Sequence, residues 1–327
     1  MIQEEIIKGM EGFVEDQLYL LKPVENCWQP IDLLPQMNDK HWLEELQEFR
    51  KSALTLSDEV LVVLVGNMIT EEALPSYETW LNGLSGIKDI TGRSPSPWAR
   101  WTRGWTAEEN RHGELLNAYL YLSARVDMRS IEITVQYLIK NGFDPETEND
   151  PYMGLVYTSI QERATKIAHN NTGELAEKSG DRKLSKICAL IAGDEARHEE
   201  AYKRFFGKII ELDPSMALLA FAKMMKKRVI MPARLMSDGS DLDLFTMHVL
   251  AAQRIGVYTT RDYAEVVDHL VNYWKIPYLS TLTAEASKAQ EYLCGLSKHY
   301  LNTAERMERS VARKPKKPCP WIFGRSI

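Results

Sequence analysis

The chain has 327 residues, of which 44% are apolar and 26% charged, and its formal net charge is −6. That length and composition fit one large or two modest globular domains with a sizeable core. The charge balance makes no case for nucleic acid, which calls for a basic domain or stripe.

Taken in order, residues 1–21 place Ile2, Ile6, Met10, Phe13 and Leu20 at near-helical spacing. The first eight residues are acidic and amphipathic, unlike a secretory signal or a Ser- and Arg-rich transit peptide, and no transit peptide is visible. Pro23, Pro30 and Pro35 mark an extended linker that carries Trp28. Residues 39–53 return to a helical pattern, and Ser57 offers an N-cap for a helix over 57–85. Pro75 is expected to kink that helix or interrupt its ladder just after Glu71. Its apolar run at 60–65 is broken by Gly66 and Asn67 and is far too short to span a membrane, so no integral membrane protein is expected.

Gly83, Ser85, Gly86 and Gly92 then open a turn. The helix after it carries Trp98, Trp101 and Trp105 as one stripe, the spacing of core packing, and Trp105, one turn before Glu109, is also a candidate for a supporting role beside that ligand. Helices follow at about 127–141, 152–170, 181–211, 214–229, 239–256, 260–274 and 284–309. The tail from Arg313 is proline-rich and reads as irregular chain lying over the surface. Cys27, Cys188, Cys294 and Cys319 are far apart and read as reduced thiols, not as a disulfide frame or zinc site. The chain is expected to be all-α and one domain over 1–327. Residues 1–56 form N-terminal helices and linker, 57–212 the core helices, and 213–327 flanking helices and tail.

Chemistry is concentrated in two Glu-x-x-His pairs, Glu109/His112 and Glu195/His198. On a helix, i and i+3 share a face, so each pair aims a carboxylate and an imidazole at one spot. Single carboxylates at Glu71 and Glu162 alternate with them, which is the ligand set of a di-iron carboxylate four-helix bundle. Oxygen and imidazole ligands without thiolate suit iron or manganese. Asp194 and Glu108 each precede a ligand Glu and can back-bond the His of the opposite helix. Arg111 and Arg197 are expected to pair with carboxylates nearby. Thr165, one turn after Glu162, either orients an oxygen species or bonds its own helix. Such a bundle can oxidise and store iron, generate a radical, or abstract hydrogen from an unactivated substrate, and spacing does not choose among these.

At Gly66-Asn-Met-Ile-Thr-Glu-Glu-Ala-Leu-Pro, Trp101-Thr-Arg-Gly-Trp-Thr-Ala-Glu-Glu-Asn-Arg-His-Gly, Tyr157-Thr-Ser-Ile-Gln-Glu-Arg-Ala-Thr and Asp194-Glu-Ala-Arg-His-Glu, the chain closely resembles the soluble plant acyl-acyl-carrier-protein desaturases. The likeness runs almost end to end. It implies a ferritin-like four-helix di-iron core within a larger single-domain helical bundle, two irons per subunit, and a homodimer in the plastid (the chloroplast stroma). It further implies insertion of a cis double bond into an acyl chain on acyl carrier protein, using dioxygen and a reduced [2Fe–2S] ferredoxin. The simplest substrate is stearoyl, desaturated at carbon 9. Alternatives are another chain length or position, such as palmitoyl, or a ferroxidase or iron-binding bundle.

The family's ligands fall on Glu71, Glu109, His112, Glu162, Glu195 and His198, and its electron route on Trp28, Asp194 and His112. Asn67 stands where the family usually has Asp. Along the family's acyl tunnel, Trp80 replaces Met, Gly83 replaces Thr and Leu155 stands where Phe is common, while Leu84, Pro145, Thr147 and Gly154 match. The carrier protein is acidic, so a basic docking patch is expected, with Lys223, Lys226, Lys227 and Arg228 as the candidate cluster and Arg234 nearby.

Overall fold

Side-chain N-caps set where the long core helices begin. Ser57, Ser96, Asp150 and Asp181 accept backbone N–H groups at the heads of α4 (Asp58–Glu72), α6 (Pro97–Ser123), α8 (Pro151–Ser179) and α9 (Arg182–Leu212). Pro97 and Pro151 sit in the first turn, where a missing N–H is harmless. The computed structural model describes residues 2–227, 229 and 231–327. Around the four core helices lie α1 (Ile2–Gly9), α2 (Glu11–Glu15), α3 (Trp42–Ala53), α5 (Leu74–Leu81), α7 (Met128–Asn141), α10 (Pro214–Lys226), α11 (Leu244–Ile255), α12 (Thr260–Tyr273) and α13 (Ala284–Val311). Among the described residues there is no β-strand, only an antiparallel bridge between Pro318 and Ser326. Nor is any single helix there long and apolar enough to cross a membrane. All four cysteines are free thiols.

The core has two apolar halves with a polar layer between them. One half gathers Trp98, Trp101 and Trp105 of α6 with Tyr202 and Phe205 of α9. The other gathers residues 60–65 of α4, Leu115 and Leu116 of α6, and Ile187 and Ile191 of α9. Helices α6, α8 and α9 each cross both halves, whereas α4 ends at the layer. The middle turn of each crossing helix, which carries Glu109–His112, Glu162 or Glu195–His198, falls in the layer between. The tryptophan stripe is core, as its spacing implies, and the apolar run of α4 is fully buried.

Several boundaries differ from the sequence-based expectation, each for a local reason. The expected 57–85 helix is two helices that break at Ala73, because Pro75 occupies the opening turn of α5. Tyr77 donates to the Thr70 carbonyl at 2.9 Å, satisfying an orphan acceptor at the end of α4. Helix α8 runs on through Asn170 and Asn171 to Ser179, since the Asn171 amide donates to the Val257 carbonyl instead of competing for its own backbone. Helix α11 starts at Leu244, not 239, because Gly239 at φ 91° closes a loop held by Asp238. Residues 1–21 split into α1, α2 and a 3-10 turn at Leu18–Leu20, and the linker contains 3-10 turns at Val24–Asn26 and Pro30–Leu33.

The tail is the larger correction. Residues 313–318 and 323–326 are exposed as expected, but Cys319, Trp321 and Ile322 are 0% exposed, and the Trp321 indole donates to Thr134 Oγ1 at 3.1 Å. Prolines fix its irregular backbone, while this apolar trio completes the half of the core around α4. Replacing Trp321 with Ala should therefore destabilise the protein by about 3–5 kcal/mol. Equilibrium denaturant unfolding reads this directly, and a loss under about 1 kcal/mol would mean that the tail is merely apposed.

Candidate metal centre

All six candidate ligands converge in the polar layer and all are buried. One donor set joins Glu71, Glu109, His112 and Glu195, and a second joins Glu109, Glu162, Glu195 and His198, with the ligand atoms of each within 4.8 Å of one another. Glu109 and Glu195 belong to both sets. Glu71 and Glu162 each belong to one. Nδ1 of His112 lies 3.2 Å from Glu109 and 3.4 Å from Glu195, and Nδ1 of His198 lies 2.7 Å from Glu109. The two imidazole centroids are 6.3 Å apart. This twofold arrangement follows the alternation of single Glu and Glu-x-x-His along the chain.

The approach of the helices depends on Gly113. A Cβ there would sit 3.3 Å from the Glu72 backbone nitrogen, so α6 meets α4 closely just beside His112.

Electrostatics shows what the cluster lacks. Burial pushes up the carboxyls of Glu71 and Glu162, the latter well above the usual range. Burial also opposes charge on Glu109, but the positive charge of the nearby His112 and His198 imidazoles outweighs it and holds that group well below the range. Burial works against protonation of His112 and His198 as well, yet the surrounding carboxylates raise both well above an ordinary imidazole. Meanwhile Nδ1 of both histidines and Oε1 of Glu109 and Glu195 are buried without a hydrogen-bond partner. Carboxylate oxygens and imidazole nitrogens that converge this closely without an aligned hydrogen bond between them fit hard divalent cations with oxygen and imidazole ligands. The donor set fits a metal site.

Behind the ligands the expected back-bonds are present. Asp194 Oδ2 lies 3.4 Å from His112 Nε2, and Glu108 Oε2 lies 3.1 Å from His198 Nε2. With Nε2 engaged, Nδ1 of each ring is the metal-facing nitrogen. Arg111 donates to Asp194 at 3.0 Å, while Arg197 bridges Asp194 at 2.8 Å and Glu108. Burial raises both carboxyls, but their imidazole and guanidinium partners outweigh it and leave both depressed, Asp194 strongly. Residues 20–28 strap this layer from outside. Leu20 O accepts from Arg197, the Lys22 backbone N–H donates to Glu108 at 2.7 Å, and Trp28 O accepts from Arg111 at 2.7 Å.

Trp28 is stacked on His112, with centroids 6.0 Å apart and planes at 14°, and the Arg111 guanidinium lies 4.5 Å over its ring. Its indole nitrogen has no hydrogen-bond partner among the described residues, so Trp28 reaches Asp194 through Arg111 and His112 through its face. Trp105 donates to Glu162 Oε1 at 3.0 Å, a ligand on another helix and not the Glu109 one turn along its own. The Thr165 hydroxyl donates to the carbonyls of Gln161 and Glu162, the duller of its two readings.

Two cavities meet at the ligands. One, of about 70 Å³, is walled by aromatic groups, among them Tyr77, Trp80, Phe143 and Tyr157, and reaches Glu109, Glu162 and Glu195. The other, of about 100 Å³, extends from Glu71 past His169 to His248. Thr70, Glu71, Gln161, Thr165 and Pro232 line both. Of the seven residues expected along a tunnel, only Trp80 faces the aromatic cavity. Its indole donates to Thr147 at 3.0 Å and meets Phe143 and Tyr157 edge-on. Gly83 and Thr147 line a surface pocket on the other side of Trp80, while Leu84, Pro145, Gly154 and Leu155 do not border the aromatic cavity. Leu84 packs on Gly154, where a Cβ would come within 2.5 Å of it.

The basic cluster is partly neutralised. Lys223 and Lys227 both pair with Glu148, at 3.1 and 3.0 Å, and Lys226 lies 5.0 Å over the Tyr292 ring. Arg228 lies outside the described residues.

One contributor went unread in the sequence. His169 is buried and places Nε2 3.0 Å from Glu71 Oε1. It lies two turns after Glu162 on the same face of α8, and that seven-residue spacing was the available signal.

The family model described as fatty acid desaturase matches residues 2–323. The stearoyl-[acyl-carrier-protein] 9-desaturase 1, chloroplastic, of Arabidopsis thaliana is 53% identical over 325 residues, covering 99% of this chain and 82% of the relative. A protein of the same description from Gossypium hirsutum is 54% identical with the same coverage, and an acyl-[acyl-carrier-protein] desaturase from Cucumis sativus is 53% identical over 324 residues, 99% of this chain and 82% of that protein. Among solved structures, the putative acyl-ACP desaturase DesA2 of Mycobacterium tuberculosis H37Rv matches in fold, with a TM-score of 0.57 at 17% identity over 87% of this chain and 99% of that one.

Two outcomes are expected of the metal site. Glu109→Ala removes a donor common to both sets, so metal content measured by plasma emission should fall by at least half; an unchanged content would remove Glu109 from the ligand set. Binding must also displace protons from groups raised above their ordinary range, His112, His198, Glu71 and Glu162. Chelator competition should therefore show tighter binding at pH 8 than at pH 6, with proton release on loading, and a flat profile would contradict the protonated cluster.

Proposed function

Because the chain belongs to the fatty acid desaturase family, we propose that it inserts a cis double bond into a saturated acyl chain carried on acyl carrier protein. The observation that carries this reading is the opening of a buried carboxylate–imidazole layer onto an aromatic-walled cavity between α5, α6 and α8. An iron-storage bundle has no use for such a cavity. Two irons are the metals proposed, held by Glu71, Glu109, His112, Glu162, Glu195 and His198. The metals supply an oxidant strong enough for a methylene C–H bond, which no side chain provides. Two hydrogens leave adjacent carbons of the chain, two electrons and two protons are added, and dioxygen departs as two waters.

The protein's own contribution is positional. Asp194 and Glu108 fix the histidine tautomers, and Trp105 holds Glu162 in place by its indole N–H. Trp28, half-buried and stacked on His112, is the proposed entry for electrons from a [2Fe–2S] ferredoxin, with Arg111 tying it to Asp194. Thr165 borders both cavities beside Glu162, where its hydroxyl can turn from its helix carbonyls toward the metals. Docking of the acidic carrier at Lys223, Lys226, Lys227 and Arg228 belongs to the same reading and requires the carrier to displace Glu148. We read residues 1–327 as one such domain, working as a homodimer in the chloroplast stroma, the compartment in the relatives' names.

Those names put stearoyl and carbon 9 first. Trp80 favours a second reading, a shorter chain such as palmitoyl, because its indole, braced by Thr147, closes the aromatic cavity. Incubation with reduced ferredoxin and a series of saturated acyl carrier substrates, followed by mass spectrometry, tests both; no desaturated product from any of them would refute the function. Trp80→Met should shift the preferred length upward, by about fourfold in kcat/KM for each methylene newly buried. An unchanged length profile would take Trp80 out of the substrate's path.

A further inference from the structure

The second cavity, running from Glu71 to His248, is polar in a way that ligand geometry does not require. Asn67 Nδ2, Gln161 Nε2 and the Tyr258 hydroxyl all line it, and each is a buried atom with no hydrogen-bond partner among the described residues. These are donors. His169 turns Nε2 to Glu71, so its unpartnered Nδ1 adds a lone pair. His248 is held neutral, burial pushing it down to about 4, and its Nδ1 is also unpartnered. The ring fits only because residue 66 is glycine: a Cβ there would lie 2.0 Å from His248 Nδ1. Ala164, Ala233, Phe245 and Val249 make up much of the remaining wall.

A cavity of about 100 Å³ whose lining residues carry three idle donors is suited to an oxygen acceptor. The aromatic cavity on the other side of Glu71 shares Gln161 but borders neither Asn67 nor Tyr258, and an acyl thioester has one apolar and one polar end. Polarity therefore orients the chain, methyl end toward Trp80 and carbonyl toward Tyr258. Asn67 lies four residues before Glu71, about 6 Å along the α4 axis, which leaves room for a few methylenes between carbonyl and metals.

We propose that Asn67, Gln161 and Tyr258 form a carbonyl subsite that binds the acyl–pantetheine linkage and sets which carbons lie at the metals. This rests on the desaturase reading, but its test is separable from it. Tyr258→Phe removes only a hydroxyl, and Asn67→Leu removes a donor at a second position. Equilibrium binding of stearoyl-pantetheine to the metal-loaded protein should weaken about three- to tenfold in each variant, the worth of one neutral hydrogen bond, with metal content unchanged. A thioether analogue without the thioester carbonyl identifies the acceptor. A Tyr258→Phe penalty confined to the thioester names its carbonyl, and a penalty on both names the neighbouring amide. In turnover the variants should yield double bonds at more than one position. Unchanged affinity in both variants, as expected if the donors meet only ordered water, would overturn the subsite. Wild-type protein that binds the thioester but makes no alkene would count against the function and not the subsite.

Discussion

Four carboxylates confined within a few ångströms in the waist of an apolar bundle are the constraint on which the rest of this structure turns. Like charges so close and so far from water cannot all ionise unless cations join them. The chain answers in two layers. Inside, two imidazoles stand between the carboxylates, and the donors that converge there fit a metal site. Outside, Asp194 and Glu108 hold those imidazoles, and Arg111, Arg197 and Lys22 hold the outer carboxylates in turn. The apolar halves on either side keep water from relaxing the arrangement.

The two outer half-circuits look alike, and their difference is informative. Arg197 ends on the Leu20 carbonyl, but Arg111 ends on Trp28, whose ring also lies against His112. Symmetry in the ligands thus coexists with asymmetry in access. Among the described residues, His112 stacks on a half-buried tryptophan and His198 does not. The same holds for the cavities: the aromatic one touches Glu162, Glu109 and Glu195, whereas the polar one meets the ligand set only at Glu71 and Glu162's neighbour Gln161. A single pattern of Glu and Glu-x-x-His has been dressed to give an inside, an outside and a direction.

Much of this was legible from residue order because it depends on helical period. Glu109/His112 and Glu195/His198 are i, i+3 pairs, and Asp194 and Glu108 lie one residue from a ligand, so each could be read from one helix. His169 was missed because its partner, Glu71, lies 98 residues away on α4. The two cavities were invisible for the same reason, since four or more segments wall each of them. The tail was misjudged because its prolines dominate local propensity, whereas Trp321 and Ile322 answer to a core built nearly 200 residues earlier. Trp80 was known as a large residue, but only the fold shows that it stands as an end wall, with most of the other expected tunnel residues behind or away from it.

The strap at residues 20–28 has a consequence for how the protein matures. Lys22 meets Asp194 across 172 positions, Leu20 meets Arg197 across 177, and Trp28 meets Arg111 across 83. Contacts that span so much chain close late, after the local hairpin of α8 and α9 has formed. The ligands themselves come from helices spread over residues 58–212, so no early fragment emerging from a ribosome holds a finished site. Metal capture would therefore report that the helices of residues 58–212 have come together, so the centre acts as the seal on the core's assembly and not as its seed.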